Sequence, residues 1–436
     1  MIRAAKISIN NTTSLQAFQL IRYVALMGIS IFFTKWGLSR EEIGIFETVL
    51  FISGLLSTFW ISGLIQAMLP LVKSNQHDKE ADLFNAFVVI VIFALITLAI
   101  GLIFEPIFRQ LDSISHFEHY RLAILYTAIS APGYIIEYIY LLKNQFKNII
   151  RYGLIIFSIQ IIAVCLAVVL RLGMIGAVYA LLLVSVLKLI WALVLVLNHS
   201  QLSFSRPFIQ RFLALGFPLI GKIFLSGSAS YIDGLIIASR FNLASFAIYR
   251  YGARDLPLVT LMANGLSNSM LPEFSIKEKL YETMSRLKER TLWHMHILFP
   301  ITIVTILLSK PLFPIVFNQD FTASAEIFMI YLLTINSKML FPQTVAIGLG
   351  KTKALLSISL LELVAHIALS LLFVQFWGIA GVAWAALVAF WIEKFAICLY
   401  LYFRLGIKPS AYTPLKAYVL YNAFTVIVFT AAYIWL

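Results

Sequence analysis

Long apolar stretches separated by short polar connections recur from one end of the chain to the other. Each stretch is close to the ~20 residues that an α-helix needs to cross the hydrocarbon core of a bilayer. The pattern therefore predicts an all-α polytopic membrane protein with about 12–13 transmembrane helices. The predicted spans are residues 13–36, 42–70, 81–104, 119–142, 152–171, 174–197, 213–239, 245–272, 292–317, 323–349, 353–376, 379–403 and 415–436.

A short internal repeat links the second span to the eighth. Residues 63–70 read GLIQAMLP and residues 265–272 read GLSNSMLP, and both segments lie towards the end of their spans. Both spans also begin with an isoleucine followed by an aromatic residue, at Ile45 and Ile248. Duplication of this kind in a membrane protein is typical of a transporter.

Because each half then holds an even number of spans, the two halves enter the membrane from the same side. We expect two parallel six-helix repeats around a central cavity. The predicted organisation is an N-lobe at residues 1–205, a C-lobe at residues 206–405 and an additional hydrophobic segment at residues 406–436.

Composition and charge support this interpretation. Of the 436 residues, 61% are hydrophobic and only 12% are charged, which excludes an ordinary soluble domain. Lys and Arg concentrate in alternate connections, such as Lys143 and Lys147, which places the N-terminus in the cytoplasm by the positive-inside rule. The formal net charge of +13 then reflects this bias and attraction to anionic lipid headgroups, and we expect no nucleic-acid partner.

The connection after the eighth span has its own pattern. Ile276, Leu280, Met284 and Leu287 recur among alternating charges in residues 273–291. This spacing predicts an amphipathic helix on the inner membrane surface, with a plain solvated linker as the alternative.

Nothing in the sequence indicates a cofactor or a metal. Cys165 and Cys398 both lie inside spans, where a lone cysteine acts as a small apolar residue. The connections are too short for a nucleotide-binding or catalytic domain, which disfavours an ATP-driven pump and a soluble-loop glycosyltransferase.

The candidate chemistry therefore lies on charged residues inside the spans, since such charges are costly in hydrocarbon and face a wet cavity or a partner. They are Arg22, Glu47, Glu137, Lys188, Lys222, Asp233, Arg250, Arg254, Asp255, Lys338, Glu362, Glu393 and Lys394.

Two pairs of cations stand out in this set. Arg22 and Lys222 occupy matching positions in the first and seventh spans, towards the cytoplasmic side. Arg250 and Arg254 are four residues apart in the eighth span, so a continuous helix would place both on one face. A cavity lined by these cations would suit an anionic headgroup, because arginine binds phosphate in a bidentate way.

Acidic residues on the same spans leave a second interpretation open. Glu47, Asp233 and Asp255 are candidate members of the substrate site, but each could instead pair locally with one of the cations. Glu362 and His366, four apart on the eleventh span, could form a proton relay or a simple buried hydrogen-bonded pair.

Several short motifs resemble the polysaccharide transporter branch of the multidrug/oligosaccharidyl-lipid/polysaccharide (MOP) superfamily, which includes the Wzx-type O-antigen flippases. The residues that carry the resemblance are Phe217-Pro218-Leu219-Ile220, Tyr231-Ile232-Asp233-Gly234, Ala247-Ile248-Tyr249-Arg250 and Met270-Leu271-Pro272-Glu273, with Ile43-Gly44-Ile45-Phe46 and Leu69-Pro70 in the first half. The similarity in span pattern covers most of the chain.

The resemblance implies a MATE-like fold and a flippase that carries undecaprenyl-pyrophosphate-linked oligosaccharide across the bacterial inner membrane by alternating access. A polymerase and a chain-length regulator of the same pathway are further expected partners. The cations at Arg22, Arg250 and Arg254 match helices that carry cations in the related lipid II flippase, whereas the second span here has Glu47. The alternatives are a multidrug or small-molecule ion antiporter of the same fold and an integral-membrane glycan polymerase or ligase.

Overall fold

The computed structural model describes residues 11–74, 79–108, 120–271, 273–275 and 280–435. Several residues of the sequence analysis lie outside this part of the chain, among them Ile276 and Pro272. The backbone of Lys222 is described but its side chain is not.

Helices make up nearly all of the described chain. In order they are α1 (Asn11–Lys35), α2 (Arg40–Ser74), α3 (Lys79–Ile103), α4 (Glu105–Phe108), α5 (Tyr120–Ser130), α6 (Ile136–Leu142), α7 (Phe146–Val169), α8 (Gly173–His199), α9 (Arg206–Gly227), α10 (Ala229–Arg240), α11 (Leu243–Gly252), α12 (Pro257–Met270), α13 (Leu280–Val316), α14 (Thr322–Leu332), α15 (Ile335–Lys338), α16 (Pro342–Gly348), α17 (Thr352–Leu405), α18 (Pro409–Tyr412) and α19 (Leu415–Trp435). Short 3₁₀ helices lie at Ala131–Ile135, Glu273–Ser275 and Gln319–Phe321.

Nine helices in the described residues are long and apolar enough to cross a membrane, and a tenth span is counted if the pair Gln319–Lys338 and Pro342–Gly348, bent by 45°, forms one. One of the nine is α17, which contains the predicted eleventh and twelfth spans. Its two halves meet at Gly378, where φ is 55° and ψ is −136°. Only glycine adopts this conformation readily, so the kink between the two halves depends on the glycine at this position.

The predicted seventh and eighth spans are broken in the structure. α9 ends at Gly227 and α10 follows from Ala229, while α11 ends at Gly252 and α12 starts at Pro257. Proline has no N–H to donate and disfavours helical geometry in the residue before it, so the chain cannot run through Pro257 as a regular helix. Leu256 is accordingly extended, with φ of −67° and ψ of 116°.

Contacts divide the chain into two compact units. Unit 1 comprises Met1–Tyr231 and Ala238–Phe246, and unit 2 comprises Ile232–Ile237 and Ala247–Leu436. A division into compact units does not show whether the two halves of the chain are repeats. The predicted lobe limits at residues 205 and 405 therefore stay a prediction.

The core of unit 1 lies among α1, α2, α3, α5–α8 and α9. Trp60, Leu64 and Ile139 are buried at its centre. α2 and α9 pack closely because Gly63 has no side chain: a Cβ there would lie 2.7 Å from the backbone nitrogen of Ile220.

The core of unit 2 surrounds α13, which packs on α14 and α19. Its first turns bury Met284 and Leu287, whereas Tyr281 is exposed. The prediction of a separate amphipathic helix over residues 273–291 is therefore wrong, because the segment is not separate from the next span. From Leu280 onward it forms the first turns of α13, the helix of the predicted ninth span, and its apolar face packs into the core of unit 2.

Candidate functional site

A small cavity in unit 1 brings together charges from three helices. Arg22 of α1, Glu137 of α6 and Lys188 of α8 line it, with tyrosine and serine hydroxyls from α5 and the 3₁₀ segment. Its volume is about 40 Å³, room for roughly one to three water molecules.

Local backbone geometry places Glu137 and Lys188 beside this cavity. Pro132 lies in the 3₁₀ segment Ala131–Ile135, which joins α5 to α6. Gly133 within it lies against α8, and a Cβ at this position would be 3.0 Å from the Cβ of Lys188. A larger residue at position 133 would therefore displace the lysine.

The cations in the cavity have no carboxylate within ion-pair distance. Glu137 is only 6% exposed, yet no carboxylate among the described residues lies within 4.0 Å of the charged groups of Arg22 or Lys188. Nζ of Lys188 instead donates to Oε1 of Gln160 at 3.1 Å and lies 5.1 Å from the ring centre of Phe157. The cavity therefore carries two positive charges against one negative charge.

Unit 2 contains a second buried polar cluster, centred on Asp233 of α10. Nε2 of His366 lies 2.8 Å from Oδ1 of Asp233. The hydroxyl of Tyr331 donates to Oδ2 of Asp233 at 2.7 Å, and the hydroxyls of Tyr331 and Tyr249 are 2.7 Å apart. Three helices, α10, α11 and α14, thus contribute to one hydrogen-bonded chain, and His366 of α17 lies within ion-pair distance of its carboxylate.

Further charges surround this chain in unit 2. Nζ of Lys394 lies 3.3 Å from Oε2 of Glu393 and donates to Oε1 of Gln343 at 3.2 Å. Nζ of Lys338 lies 2.6 Å from Oδ1 of Asp255. Two candidates for the substrate site are therefore already paired. Asp255 contacts Lys338, and Asp233 contacts His366.

The expectation that Arg250 and Arg254 share one helical face is wrong. α11 ends at Gly252, and Arg254 lies in the non-helical break before Pro257. Its guanidinium is 4.9 Å from the ring centre of Tyr251, and its Nε donates to the carbonyl oxygen of Arg250 at 3.3 Å. The break between Gly252 and Pro257 removes the continuous helix that the i, i+4 argument requires.

The predicted site residues not yet placed are Glu47, Lys222 and Glu362. Glu47 is buried on α2, and the backbone of Lys222 belongs to α9. Glu362 and His366 lie one turn apart on α17, but Oε1 of Glu362 and Nδ1 of His366 have no hydrogen-bond partner in the described part of the chain. No group of three or more His, Cys, Asp or Glu residues that could hold a metal occurs among the described residues.

Sequence reasoning did not assign a role to the residues that complete either cluster. Glu137 and Lys188 were visible as charges within spans, but nothing in their spacing connects them to Arg22. Tyr249 was visible only as part of the repeat and of the family motif, and nothing pointed to Tyr331, because a tyrosine in an apolar stretch is indistinguishable from a core aromatic residue.

Comparison with known proteins places this arrangement in a family. The sequence model described as "Polysaccharide biosynthesis protein" matches residues 38–326, well over half of the chain. The chain belongs to this family. No curated protein sequence matches it significantly.

Solved structures of the same fold are flippases and transporters. The lipid II flippase MurJ in an inward closed conformation superposes with a TM-score of 0.71 at 18% identity, over 96% of this chain and 93% of that chain. An inward-facing multidrug resistance MATE family transporter of the MOP superfamily gives a TM-score of 0.57 at 17% identity, over 96% and 99%. A MOP superfamily transporter from Pyrococcus furiosus, whose binding pocket is described as reversed in polarity, gives 0.57 at 13% identity, over 97% and 95%.

These similarities confirm two predictions from the sequence. The chain has the all-α, MATE-like fold of a polytopic membrane protein, and its resemblance to a polysaccharide family is confirmed by the sequence model.

Proposed function

We propose that this protein is a flippase that moves undecaprenyl-pyrophosphate-linked oligosaccharide across the bacterial inner membrane by alternating access, for the synthesis of a surface polysaccharide. Its N-terminus lies in the cytoplasm, and the glycan polymerase and chain-length regulator of the same pathway are its partners. The family supports a role in polysaccharide synthesis, and the fold supports transport.

The net positive charge of the cavity in unit 1 is the main support for an anionic substrate. Arg22 and Lys188 line it without a carboxylate in ion-pair contact, and Glu137 balances only one of them. An unbalanced positive charge in a membrane protein is costly unless an anion meets it. A pyrophosphate is such an anion, and arginine can bind it through two parallel hydrogen bonds.

The size of the cavity limits which part of the substrate binds there. At about 40 Å³ it excludes a sugar ring. The proposal therefore assigns only the phosphate oxygens to these side chains. Arg22 and Lys222 engage the pyrophosphate from the cytoplasmic side, with Lys188 behind Arg22, and Arg250 and Arg254 engage it later in the cycle. Glu47 and Asp255 stay candidates for contacts with the glycan.

The antiporter alternative requires a different charge in unit 1. A MATE family transporter shares the fold, but a cationic drug would be repelled by the cavity that Arg22 and Lys188 line. The Pyrococcus furiosus transporter, described as having a binding pocket of reversed polarity, provides a precedent for a change of pocket charge on this fold.

Binding of undecaprenyl pyrophosphate to the purified protein in lipid nanodiscs tests the proposal. Arg22→Gln and Lys188→Gln should each weaken binding by about 10- to 100-fold, the scale of a lost hydrogen bond to a charged group. The double variant should lose less than the sum, because the two residues act on one ligand. Undecaprenol, which has no phosphate, should show no effect of either substitution.

The matched control is Lys310→Gln, which removes a lysine whose Nζ donates to the carbonyl oxygen of Tyr433 at 2.9 Å in unit 2. It should bind like the parent chain. In cells, surface glycan measured at equal protein abundance should fall for the two cavity variants only. Equal affinity of the parent chain for undecaprenol and its pyrophosphate, or tighter binding of a cationic dye by Arg22→Gln, would favour the antiporter.

A further inference from the structure

Unit 2 brings together two titratable groups that are almost completely buried. His366 is 1% exposed and Asp233 is 5% exposed. An isolated carboxylate at such a depth is strongly unfavourable, and a cation beside it offsets most of that cost. Nε2 of His366, 2.8 Å from Oδ1 of Asp233, is the cationic group in contact with it in the described structure, and it carries a charge only when the imidazole holds two protons.

The second oxygen of Asp233 is held by a tyrosine pair. Tyr331 donates to Oδ2 at 2.7 Å, and its own hydroxyl lies 2.7 Å from that of Tyr249. These hydroxyls fix the carboxylate in place but add no charge. The charge balance at Asp233 therefore depends on the protonation of His366.

His366 belongs to a buried polar stripe along one face of α17. Glu362, His366 and Ser370 are four residues apart and buried, so they lie above one another over about 12 Å of helix. Oε1 of Glu362, both ring nitrogens of His366 and Oγ of Ser370 have no hydrogen-bond partner in the described part of the chain, so Nε2 of His366 meets Asp233 by charge and not by an aligned hydrogen bond. Buried polar atoms normally have partners, so a row of polar atoms without them is a candidate path for a proton.

Other titratable and charged groups face this stripe from the elements packed around it. Glu393 and Lys394, on the second half of α17, act on Glu362 through their charges, as does Asp233 of α10. Tyr249 of α11 and Tyr331 of α14 complete the surroundings, and Asp255, engaged by Lys338, acts on Tyr331. Among these groups only the imidazole of His366 has an unperturbed pKa near neutral pH, at about 6.5.

We propose that His366 binds a proton that Glu362 donates, and that Asp233 forms an ion pair with the protonated imidazole. In the neutral ring the single proton sits on Nε2 and points at Asp233. The carboxyl group of Glu362 then transfers its proton to Nδ1 of His366, which leaves Glu362 as a carboxylate and His366 as an imidazolium paired with Asp233. Release reverses the transfer, and Asp233 loses the positive charge that holds α10 to α17.

The site provides a means of coupling, and this second part rests on the proposed function. Tyr249 ends the hydrogen-bonded chain on α11, and the next residue is Arg250, a candidate contact of the pyrophosphate. Proton binding at His366 and anion binding at Arg250 therefore act on the same short helix. The flippase would move one proton in each transport cycle.

The proton site itself is tested without any ligand. A chain in which the other six of the seven histidines are replaced by Gln, labelled with ¹⁵N-histidine and placed in lipid nanodiscs, reports the protonation of His366 alone by NMR. The imidazolium signal should persist to higher pH in this chain than in the same chain with Asp233→Asn, because the ion pair is lost. Retention of the nanodisc elution volume shows that each variant is folded.

Coupling is tested in cells by the rate of surface-glycan appearance in sodium-free medium at external pH 8 and pH 6. The rate should rise at the lower pH for the parent chain and lose this dependence in His366→Gln and Glu362→Gln. The control His296→Gln, which removes a histidine in contact with Tyr421 at 2.6 Å, should behave like the parent chain.

The two arms separate the possible failures. A neutral His366 throughout the pH range, or a titration that Asp233→Asn leaves unchanged, overturns the proton site. A titrating His366 with glycan export that depends on sodium and not on pH overturns the coupling. A titrating His366 in a parent chain that exports no glycan leaves the proton site standing and contradicts the proposed function.

Discussion

At the scale of single residues, this protein concentrates its buried charge in two places. In unit 1, Glu137 and Lys188 lie beside Arg22 around a cavity of about 40 Å³, which has room for only a few waters. In unit 2, Asp233 and His366 form a buried pair. Charges in such surroundings are stable only when each has a partner, so removal of one member exposes the others.

Lys188 provides a direct test of this dependence. Lys188→Met keeps a chain of similar length and removes the charge, the hydrogen bond to Gln160 and a compensating cation for Glu137. We expect a loss of about 1.5–3 kcal/mol of stability, the scale for a hydrogen bond to a charged group. Thermal unfolding of the purified protein in detergent measures it.

The control for this prediction removes the acid as well. In Lys188→Met with Glu137→Gln, no uncompensated carboxylate remains, so the double variant should be more stable than the sum of the two single losses predicts. Additive losses of stability would mean that the charges of Glu137 and Lys188 do not interact.

At the level of the helices, broken spans position several of the candidate site residues. The break between Gly252 and Pro257 takes Arg254 off the helix and places it over Tyr251. Gly252 is needed at this point because α14 passes close by: a Cβ would lie 2.5 Å from the carbonyl oxygen of Ser324 and 2.6 Å from Cβ of Ile327. The hydroxyl of Ser324 in turn donates to the carbonyl oxygen of Ile248 at 2.7 Å, which joins α14 to α11.

A pair of glycines on the two sides of this break allows a matched comparison. Gly252→Ala should destabilise the protein by about 1–3 kcal/mol, the usual cost of overpacking against a rigid neighbour. Gly265→Ala on α12 should be neutral or stabilising by up to about 1 kcal/mol, because no atom lies within 4 Å of the new methyl group and alanine favours a helix.

Thermal unfolding of the two variants under the same conditions measures the difference. A Gly252→Ala protein as stable as the parent chain would show that α11 and α14 can separate at no cost. Both variants lie within unit 2, so a general weakness of that unit would lower both together.

At the scale of the whole molecule, short connections and long apolar helices leave little of the chain in water. α19, at Leu415–Trp435, is long and apolar enough to cross a bilayer. It follows α18 and Thr413, and its side chains pack on α13 in unit 2. A thirteenth crossing would place the C-terminus on the side opposite to the N-terminus.

Reporter fusions test this topology. An enzyme that is active only outside the cytoplasm should be active when fused after Leu436 and inactive when fused after Lys353, which precedes most of α17. Fusion of a cytoplasm-specific reporter at the same two sites should give the reverse pattern. Activity of the outside reporter after Lys353 would reverse the predicted orientation of the whole chain.

The class of the protein and the positions of its apolar spans could be predicted without a structure. Apolar stretches near twenty residues long can satisfy their backbone hydrogen bonds in a bilayer only as helices, so their positions follow from hydropathy alone. The short repeat and the loose motifs of residues 43–70 and 217–273 were sufficient to predict the fold and a polysaccharide family. Asp233, Glu362 and His366 could also be predicted as candidate site residues, because an ionisable side chain within a span is costly in hydrocarbon.

Which charged side chains lie next to each other could not be predicted from the sequence, because it depends on how the helices pack. Arg22, Glu137 and Lys188 lie on three different spans, and no spacing along the chain connects them. His366 was paired with Glu362 by helical periodicity, yet it contacts Asp233 of another helix. The i, i+4 argument for Arg250 and Arg254 failed because it assumes a continuous helix, which Pro257 interrupts. Periodicity describes one helix at a time, whereas a site inside a bundle is formed by the packing of several helices.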